Sequence, residues 1–356
     1  MPKLERSWSG TSKRSLVGMG AVICFLLCAG WGMFFFVVLP GKYVVGDHTL
    51  FEVGLAITAF TLGIRHAFDA DHIAAIDNTT RKLSAEGKES VSVGFWFALG
   101  HSTVVLVAVS LLAAGLNVLA ANISDDGSTF LTFAGTWGIV VSGLFLLAIG
   151  AINLSALRTV WRVFRRMRHD EFDEAQLEKD LEARGVMNRI LGPLARKVDA
   201  PWKMYPIGVL FGLGFDTATT IGLFVVGGTA ALTAPWYVVL VLPILFAGGM
   251  TLIDTLDSVV MKNAYEWAYA RPVRKVYYNL TITAMSVAVA FLVGGVGLIG
   301  LVADWLRVHS GPVAWIGSLD VENFGFVIVG VILATWLSAL AVWKLGRIEA
   351  RYTRPD

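Results

Sequence analysis

The chain has 356 residues, of which 56% are hydrophobic, 16% are charged and 12% are aromatic, and its formal net charge is +2. Soluble domains carry about 25% charged residues, so this composition excludes an ordinary water-soluble globule. The 37 glycines and 12 tryptophans are typical of a protein with several membrane-spanning helices, and we expect no nucleic-acid partner.

The N-terminus is basic and leads into a long apolar stretch without a small-residue cleavage site. We therefore expect a retained first helix rather than a removable signal peptide. The two cysteines of the chain, Cys24 and Cys28, lie four residues apart in this stretch, and so few cysteines exclude a disulfide framework.

Eight apolar stretches are long enough to cross a hydrocarbon core about 30 Å thick, which needs about 20 residues per helix. They are Val17–Leu39, Leu50–Asn78, Val91–Ala120, Thr129–Leu157, Met204–Leu232, Pro235–Val260, Asn279–Val302 and Asn323–Lys344. The predicted fold class is therefore all-α, a polytopic membrane protein with eight transmembrane helices. The second stretch is longer than a span requires and is interrupted by polar residues, which predicts a bent or broken helix.

Positive charge marks the cytoplasmic side of a membrane protein, and 26 of the 29 lysines and arginines fall on one side of the eight predicted spans. Both termini are therefore expected to be cytoplasmic, with the chain in the cytoplasmic (inner) membrane. The predicted organisation is four spans in residues 1–157, a charged cytoplasmic connection in residues 158–203, and four spans with a short tail in residues 204–356. A basic run followed by an acidic run in the connection is typical of a solvated helical hairpin whose basic edge faces membrane lipid.

The second predicted span contains a dense run of ionisable residues, RHAFDADHIAAIDN, from Arg65 to Asn78. Each such group at membrane depth costs several kcal/mol unless it is paired, hydrated or coordinated, so the run indicates a functional site. Imidazole and carboxylate together are ligands for borderline divalent metals. At 100° per residue, Asp71 lies about 140° from His66, so a straight helix cannot direct His66, Asp71 and His72 at one ion. Either the helix is distorted here or other helices complete the ligand set.

Some of these residues also have structural interpretations. Arg65 and Asp69 are four residues apart, which on a helix places them on one face, so Asp69 is expected either to pair with Arg65 or to act in the metal site. For His66 and His72, the structural alternative is hydrogen bonding to backbone carbonyls in a helical core.

Three other predicted spans carry polar motifs at a similar depth. They are LGHST with His101, LGFDTAT with Asp216 and Thr219, and GMTLIDTLD with Asp254 and Asp257. Transporters build their substrate sites near the middle of the membrane from several helices. The alternatives are an interhelical hydrogen bond for His101 and capping or interhelical roles for the aspartates.

In these motifs the chain resembles the nickel/cobalt transporter family (NiCoT). The hallmark of that family is His, four residues, Asp-His in the second helix, present here as His66 to Asp71-His72, and LGHSTVV, LGFDTAT and GMTLIDTLDS also match. The resemblance implies an eight-helix permease that takes up Ni²⁺ or Co²⁺ as its transported substrate, with no cofactor. Similar members usually have Glu where this chain has Thr220, so any coupling or exit role of that carboxylate is absent here or served by another group.

From the motif and the resemblance, the ion is expected to be held by His66, Asp71 and His72, with His101 as a further ligand, and to bind less tightly as pH falls. Seven other polar residues are expected to orient these ligands, carry compensating charge or contribute to coupling: Arg65, Asp69, Asn78, Asp216, Thr219, Asp254 and Asp257. Phe68, inside the motif, is a candidate for metal selectivity, with helix packing as the alternative.

Two other classes of protein share this ligand chemistry. An intramembrane metalloenzyme needs a general base, but the motif contains no Glu and the chain has no HExxH sequence, so we do not expect an enzyme. A divalent-cation channel needs weak sites, whereas clustered His and carboxylate favour tight binding. The chain has no Walker motif, so it encodes no ATPase.

Overall fold

The computed structural model describes residues 10–45, 49–50, 53–114, 129–167, 198–214, 234–269, 272–308, 310–319, 325–328, 330–331, 334 and 338. These residues are almost entirely helical. The helices are α1 (Gly10–Met33), α2 (Val53–Ala67), α3 (Ala70–Ala85), α4 (Val93–Ala113), α5 (Thr129–Met167), α6 (Met204–Gly212), α7 (Trp236–Val239), α8 (Val241–Tyr269), α9 (Pro272–Trp305) and α10 (Pro312–Gly317). Helix α1 continues through a π-helical turn (Phe34–Val38) into a last helical turn (Leu39–Gly41). The two-residue strands β1 (Val44–Val45) and β2 (Thr49–Leu50) pair antiparallel.

Five helical segments in the described residues are long and apolar enough to cross a membrane: Gly10–Gly41, Val93–Ala113, Thr132–Ser155, Trp236–Tyr265 and Thr283–Trp305. They correspond to the first, third, fourth, sixth and seventh predicted stretches. The predicted all-helical fold, with several helices able to cross a membrane, is therefore confirmed. The fifth and eighth predicted stretches are described only in part, so eight spans and the orientation of the termini remain predictions.

The chain divides into two compact units, each built from three separate stretches. The first unit contains residues 1–67, 89–138 and 200–259, and the second contains residues 68–88, 139–199 and 260–356. The boundary between the units therefore falls inside the polar motif, after Ala67.

The core of the first unit is formed by α2, α4, α7 and α8 with the end of α1. On α4, the buried residues Val105, Ala108, Val109 and Leu112 recur every three to four positions, which gives the helix one continuous packing face. Phe246 and the neighbouring apolar residues of α8 pack in the same cluster. Lipid is as apolar as these side chains, so close packing rather than hydrophobicity stabilises such an interface.

In the second unit, α5 runs antiparallel to α9. Leu298 of α9 contacts Gly143 of α5, with its Cγ 2.7 Å from the position of a Cβ on that glycine. Seven residues later on α5, a Cβ at Gly150 would lie 3.1 Å from the Cβ of Ala290, which is eight residues earlier on α9. Small residues at both crossings let the two helices stay close along their length.

A pair of tyrosines links the residue before β1 with the start of α7. The hydroxyls of Tyr43 and Tyr237 lie 3.0 Å apart, and the two rings meet edge to face. This hydrogen bond raises the pKa of the Tyr43 phenol above its ordinary value. The bond ties the residue before β1 to the start of α7.

Candidate metal centre

The polar motif is divided between two helices. Helix α2 ends at Ala67, α3 begins at Ala70, and Asp69 between them has an extended backbone with φ −65° and ψ 142°. The Ile73 amide donates to the Asp69 carbonyl at 3.2 Å, which is the first hydrogen bond of α3. Asp is favoured at this position before a helix. The predicted interruption of the second stretch is therefore confirmed, with Phe68 and Asp69 as its two residues.

His66 and His101 form a buried contact. His66 is in the last turn of α2, and His101 is near the middle of α4; their exposed fractions are 1% and 3%. Their Nε2 atoms are 2.9 Å apart, and their rings are tilted by 59° with centroids at 4.6 Å. In this bond one Nε2–H donates to the other Nε2. His101 thus makes the interhelical hydrogen bond that was the alternative for it, and its partner is His66, a residue of the polar motif.

The position of His66 follows from a close crossing of α2 and α8. A Cβ at Gly63 would lie 2.1 Å from the carbonyl oxygen of Phe246, and one at Gly249 would lie 2.5 Å from that of Phe60. Only glycine allows backbones to approach this closely. His66 is one turn after Gly63, so its ring lies against the ring of Phe246, with centroids 5.6 Å apart.

The position of His101 follows from a similar crossing of α4 and α6. A Cβ at Gly100 would lie 2.0 Å from the carbonyl oxygen of Tyr205, and one at Gly208 would lie 2.0 Å from that of Phe97. The hydroxyls of Thr103 and Tyr205 are 3.0 Å apart, which adds a polar contact to the same crossing. The glycine in LGHST therefore holds the histidine beside it in a defined place.

Asp71 and His72, the other predicted ligands, belong to the second unit. Both are in the first turn of α3; Asp71 is partly exposed and His72 is 1% exposed. The Asp71 Oδ1 accepts the backbone N–H of His72 at 2.9 Å, which suits a carboxylate at the positive end of a helix.

Phe68 packs within the second unit. Its ring stacks on Phe326, with centroids 4.8 Å apart and an angle of 23° between the planes. A Cβ at the neighbouring Gly325 would lie 1.5 Å from the Phe68 carbonyl oxygen, so that glycine allows the segment at residues 325–328 to touch the interruption directly. Phe68 thus makes a packing contact of the kind named as its alternative, and its part in metal selectivity stays a prediction.

Arg65 and Asp69 do not lie on one helical face. Arg65 is half-buried on α2, whereas Asp69 is buried outside both helices, so the four-residue helical spacing does not apply to this pair. Asn78 is fully buried on α3 and links two helices of the second unit. Its Nδ2 donates to the Ala74 carbonyl at 2.8 Å, and its Oδ1 accepts from Asn153 Nδ2 of α5 at 2.6 Å.

Asp77 was missing from the predicted site. Its carboxylate accepts hydrogen bonds from Tyr265 of α8 and from Ser286 of α9, the latter at 2.6 Å, and all three residues are buried. Arg81, one turn later, is buried too and donates through Nη1 to the Thr283 hydroxyl at 3.0 Å. The position of Asp77 inside the motif could have indicated its importance. Its hydrogen-bond donors, Tyr265 and Ser286, belong to no motif and could not have been named.

The remaining predicted residues are on α8 or outside the described part. Asp254 is 1% exposed, and its carbonyl oxygen lies 1.9 Å from the position of a Cβ on Gly94, so α8 and the start of α4 touch there. Asp257 follows one turn later and is half-buried. Asp216 and Thr219, as well as Thr220, lie outside the described residues.

Several helices able to cross a membrane, one of which buries an imidazole against a second imidazole from the shorter apolar helix α2, are features of a membrane protein that handles a transition-metal ion. The model of the NicO family, high-affinity nickel-transport proteins, matches residues 52–342. The chain belongs to this family of nickel transporters.

Individual relatives agree with this assignment. The chain is 47% identical over 356 residues to the nickel transporter NicT of Mycobacterium tuberculosis. This alignment covers 99% of this chain and 95% of that protein. The chain is 45% identical over 322 residues to the nickel transporter NixA of Staphylococcus aureus, covering 90% and 93%. It is 34% identical over 342 residues to the cobalt transport protein NhlF of Rhodococcus rhodochrous, covering 94% of each. No solved structure matches the chain.

Proposed function

We propose that this protein is a secondary transporter that takes up Ni²⁺, Co²⁺ or both across the cytoplasmic membrane and holds the ion through His66, His101, Asp71 and His72. The observation that carries the proposal is the buried Nε2 to Nε2 contact of His66 and His101. Imidazole nitrogens are the preferred protein ligands of these ions, and isolated polar groups at such depth are costly.

The separation of the two nitrogens is that of a hydrogen bond, so an ion would take the place of the shared proton. Two nitrogens bound to one ion at about 2.0–2.1 Å are about 2.9 Å apart when the bonds meet at a right angle, and about 3.3 Å apart in a tetrahedron. The observed 2.9 Å is close to both values, so the two rings need to move little to hold one ion.

Asp71 and His72 are the proposed partners because of their chemistry and their place in the chain. They follow His66 by five and six residues. On a continuous helix this spacing would turn Asp71 away from His66, but the interruption at Phe68 and Asp69 removes that constraint. A carboxylate in the set also offsets the charge of a divalent ion, which two neutral imidazoles cannot do.

The other motif residues are proposed to support these ligands. Asp69 lies at the interruption and Asp254 lies on α8, and we assign both to orienting ligands or carrying compensating charge. Arg65, Asp257, Asp216 and Thr219 remain candidates for the same roles or for coupling. Asn78, and with it Asp77, is assigned to holding α3 in place through its contacts with α5, α8 and α9.

Transport requires that the ion be released on the other side. We propose that the interruption between α2 and α3 is the hinge at which the ligand set opens, since Phe68 and Asp69 lie outside both helices and hinges are built from such residues at the ends of elements. The topology is the predicted one, with eight spans and both termini in the cytoplasm, because nearly all lysines and arginines fall on one side. The absence of a Walker motif from the sequence favours ion entry without ATP hydrolysis by this chain.

Uptake of radiolabelled Ni²⁺ and Co²⁺ by cells that produce the protein tests the proposal. His66→Ala, Asp71→Ala, His72→Ala and His101→Ala should each abolish saturable uptake at equal membrane levels. His309→Ala, a histidine outside every motif, should transport like the wild type. Unchanged uptake in the four site variants would overturn the ligand assignment, and an absence of uptake by the wild type would overturn the function.

A further inference from the structure

A groove lies between α5 and α9 where both helices reach one end of their membrane-spanning segments. Its volume is about 490 Å³, within the range of small-molecule sites. It is lined by Leu157, Arg158, Trp161, Arg162, Leu280 and Ala284.

The apolar segments of both helices indicate how deep in the membrane the groove lies. The apolar segment of α5 ends at Ser155, just before the lining residues of that helix, and the apolar segment of α9 begins at Thr283, between its own two lining residues. The groove is therefore at the boundary between hydrocarbon and water. Trp161, which lines it and is 54% exposed, is the residue type enriched at this level of a membrane.

The walls of the groove are mainly apolar, and two of the residues that line it also carry a cationic head group. Leu157, Leu280 and Ala284 present hydrocarbon, and Arg158 and Arg162 are both exposed on α5. These arginines are four residues apart, so they lie on the same face of the helix. Guanidinium groups bind phosphate through paired hydrogen bonds, and two of them at one site favour an anionic headgroup.

We propose that this groove binds one anionic phospholipid, with the headgroup phosphate on Arg158 and Arg162 and an acyl chain along Leu157, Leu280 and Ala284. A soluble anion would need the arginines but not the apolar walls. A zwitterionic lipid would use the walls but gain less from two cations. Basic pockets between helices on the cytoplasmic side, where anionic lipids concentrate, recognise such headgroups.

The proposed lipid site is next to the turn of α9 whose side chains form hydrogen bonds with α3. Thr283 lies between the lining residues Leu280 and Ala284, and its hydroxyl accepts the hydrogen bond from Arg81. Ser286, which donates to Asp77, is on the next turn of α9. The lipid therefore braces the same part of α9 against α5, and its binding should stabilise the folded protein.

The test uses the full-length protein, purified in detergent without added nickel, so that its result is independent of transport. Lipid binding is measured by native mass spectrometry and by the melting temperature during titration with phosphatidylglycerol, phosphatidylcholine, glycerol phosphate or inorganic phosphate. We expect saturable binding of one phosphatidylglycerol, and an affinity at least about tenfold lower in the Arg158→Gln/Arg162→Gln variant. The matched control Lys13→Gln/Arg14→Gln removes two exposed charges near the start of α1 and should bind like the wild type.

A second variant keeps the charge and fills the groove. Ala284→Phe should also lower phosphatidylglycerol binding, and it keeps the proposal testable if the double arginine variant does not fold. Equal phosphatidylglycerol binding by wild type and Ala284→Phe would overturn the proposal. So would equal binding of phosphatidylcholine, or stabilisation by inorganic phosphate as strong as that by the lipid, which would indicate a free-anion site.

Discussion

The Nε2 atoms of His66 and His101 are 2.9 Å apart, although the two residues are 35 positions apart in the chain and belong to different helices. Each is held by a glycine crossing one turn or less away, Gly63 on α2 and Gly100 on α4. The contact requires a proton on one Nε2, whereas an ion held by both nitrogens requires both imidazoles to carry their protons on Nδ1. Ion binding and the histidine contact are therefore mutually exclusive states of the same pair.

The crossing of α4 and α6 should be intolerant of even one methyl group. In Gly100→Ala the new Cβ would lie 2.0 Å from the backbone oxygen of Tyr205, which cannot move aside as a side chain can. We expect a loss of about 1–3 kcal/mol of stability from overpacking, together with a strong loss of nickel uptake. Melting temperature in detergent and radiolabelled uptake are the measurements.

A matched control for this substitution is Gly54→Ala on α2. A Cβ there meets no atom of the described residues within 4 Å, and alanine is favoured over glycine in a helix by about 1 kcal/mol. The control should be as stable as the wild type or more so. If Gly100→Ala behaved like Gly54→Ala, the close crossing of α4 and α6 would be refuted.

The interruption in the motif should depend on Gly325. In Gly325→Ala the Cβ would lie 1.5 Å from the carbonyl oxygen of Phe68, so the peptide at the interruption must shift. We expect nickel uptake to fall at least about tenfold, since displaced ligands cost that much in metal sites. Gly330→Ala, where a Cβ meets no described atom within 4 Å, is the control and should transport normally. Equal transport by both variants would contradict the proposed role of the interruption.

The Asp77 network should contribute mainly to stability. Tyr265→Phe removes one of the two hydroxyls that donate to the buried carboxylate, which should cost about 1–3 kcal/mol. Asp77→Asn should cost more, because it replaces one of the two oxygens that accept these buried hydrogen bonds with an amide nitrogen. Tyr237→Phe, which removes a partly exposed hydroxyl contact, should lower the melting temperature least. A melting temperature that falls most in Tyr237→Phe and least in Asp77→Asn would contradict this assignment.

The sequence predicted the features that depend on the motif alone. The density of charge between Arg65 and Asn78 predicted an interrupted second span, and the depth of His101 placed it among the candidate ligands. The prediction that Arg65 and Asp69 share one helical face was wrong, because it applied helical spacing to a segment that is not helical at Asp69. Such a local change of backbone is not visible from spacing.

The contacts between distant helices were not predictable in the same way. The stacking of Phe68 on Phe326 joins the motif to a residue far along the chain that no motif marks. Tyr265 and Ser286 are ordinary residues of apolar helices, and only the packing of α8 and α9 against α3 turns them into donors for Asp77. Such pairings depend on tertiary packing, which no local pattern encodes.

X-ray absorption by Ni²⁺ bound to the purified protein tests the central claim most directly, because it reports the atoms that surround the ion. We predict imidazole nitrogens at about 2.0–2.1 Å. The number of imidazoles should fall by one in His66→Ala and by one in His101→Ala, and it should be unchanged in His309→Ala. A nickel spectrum without imidazole, or one that is identical in the wild type and both site variants, would contradict the account.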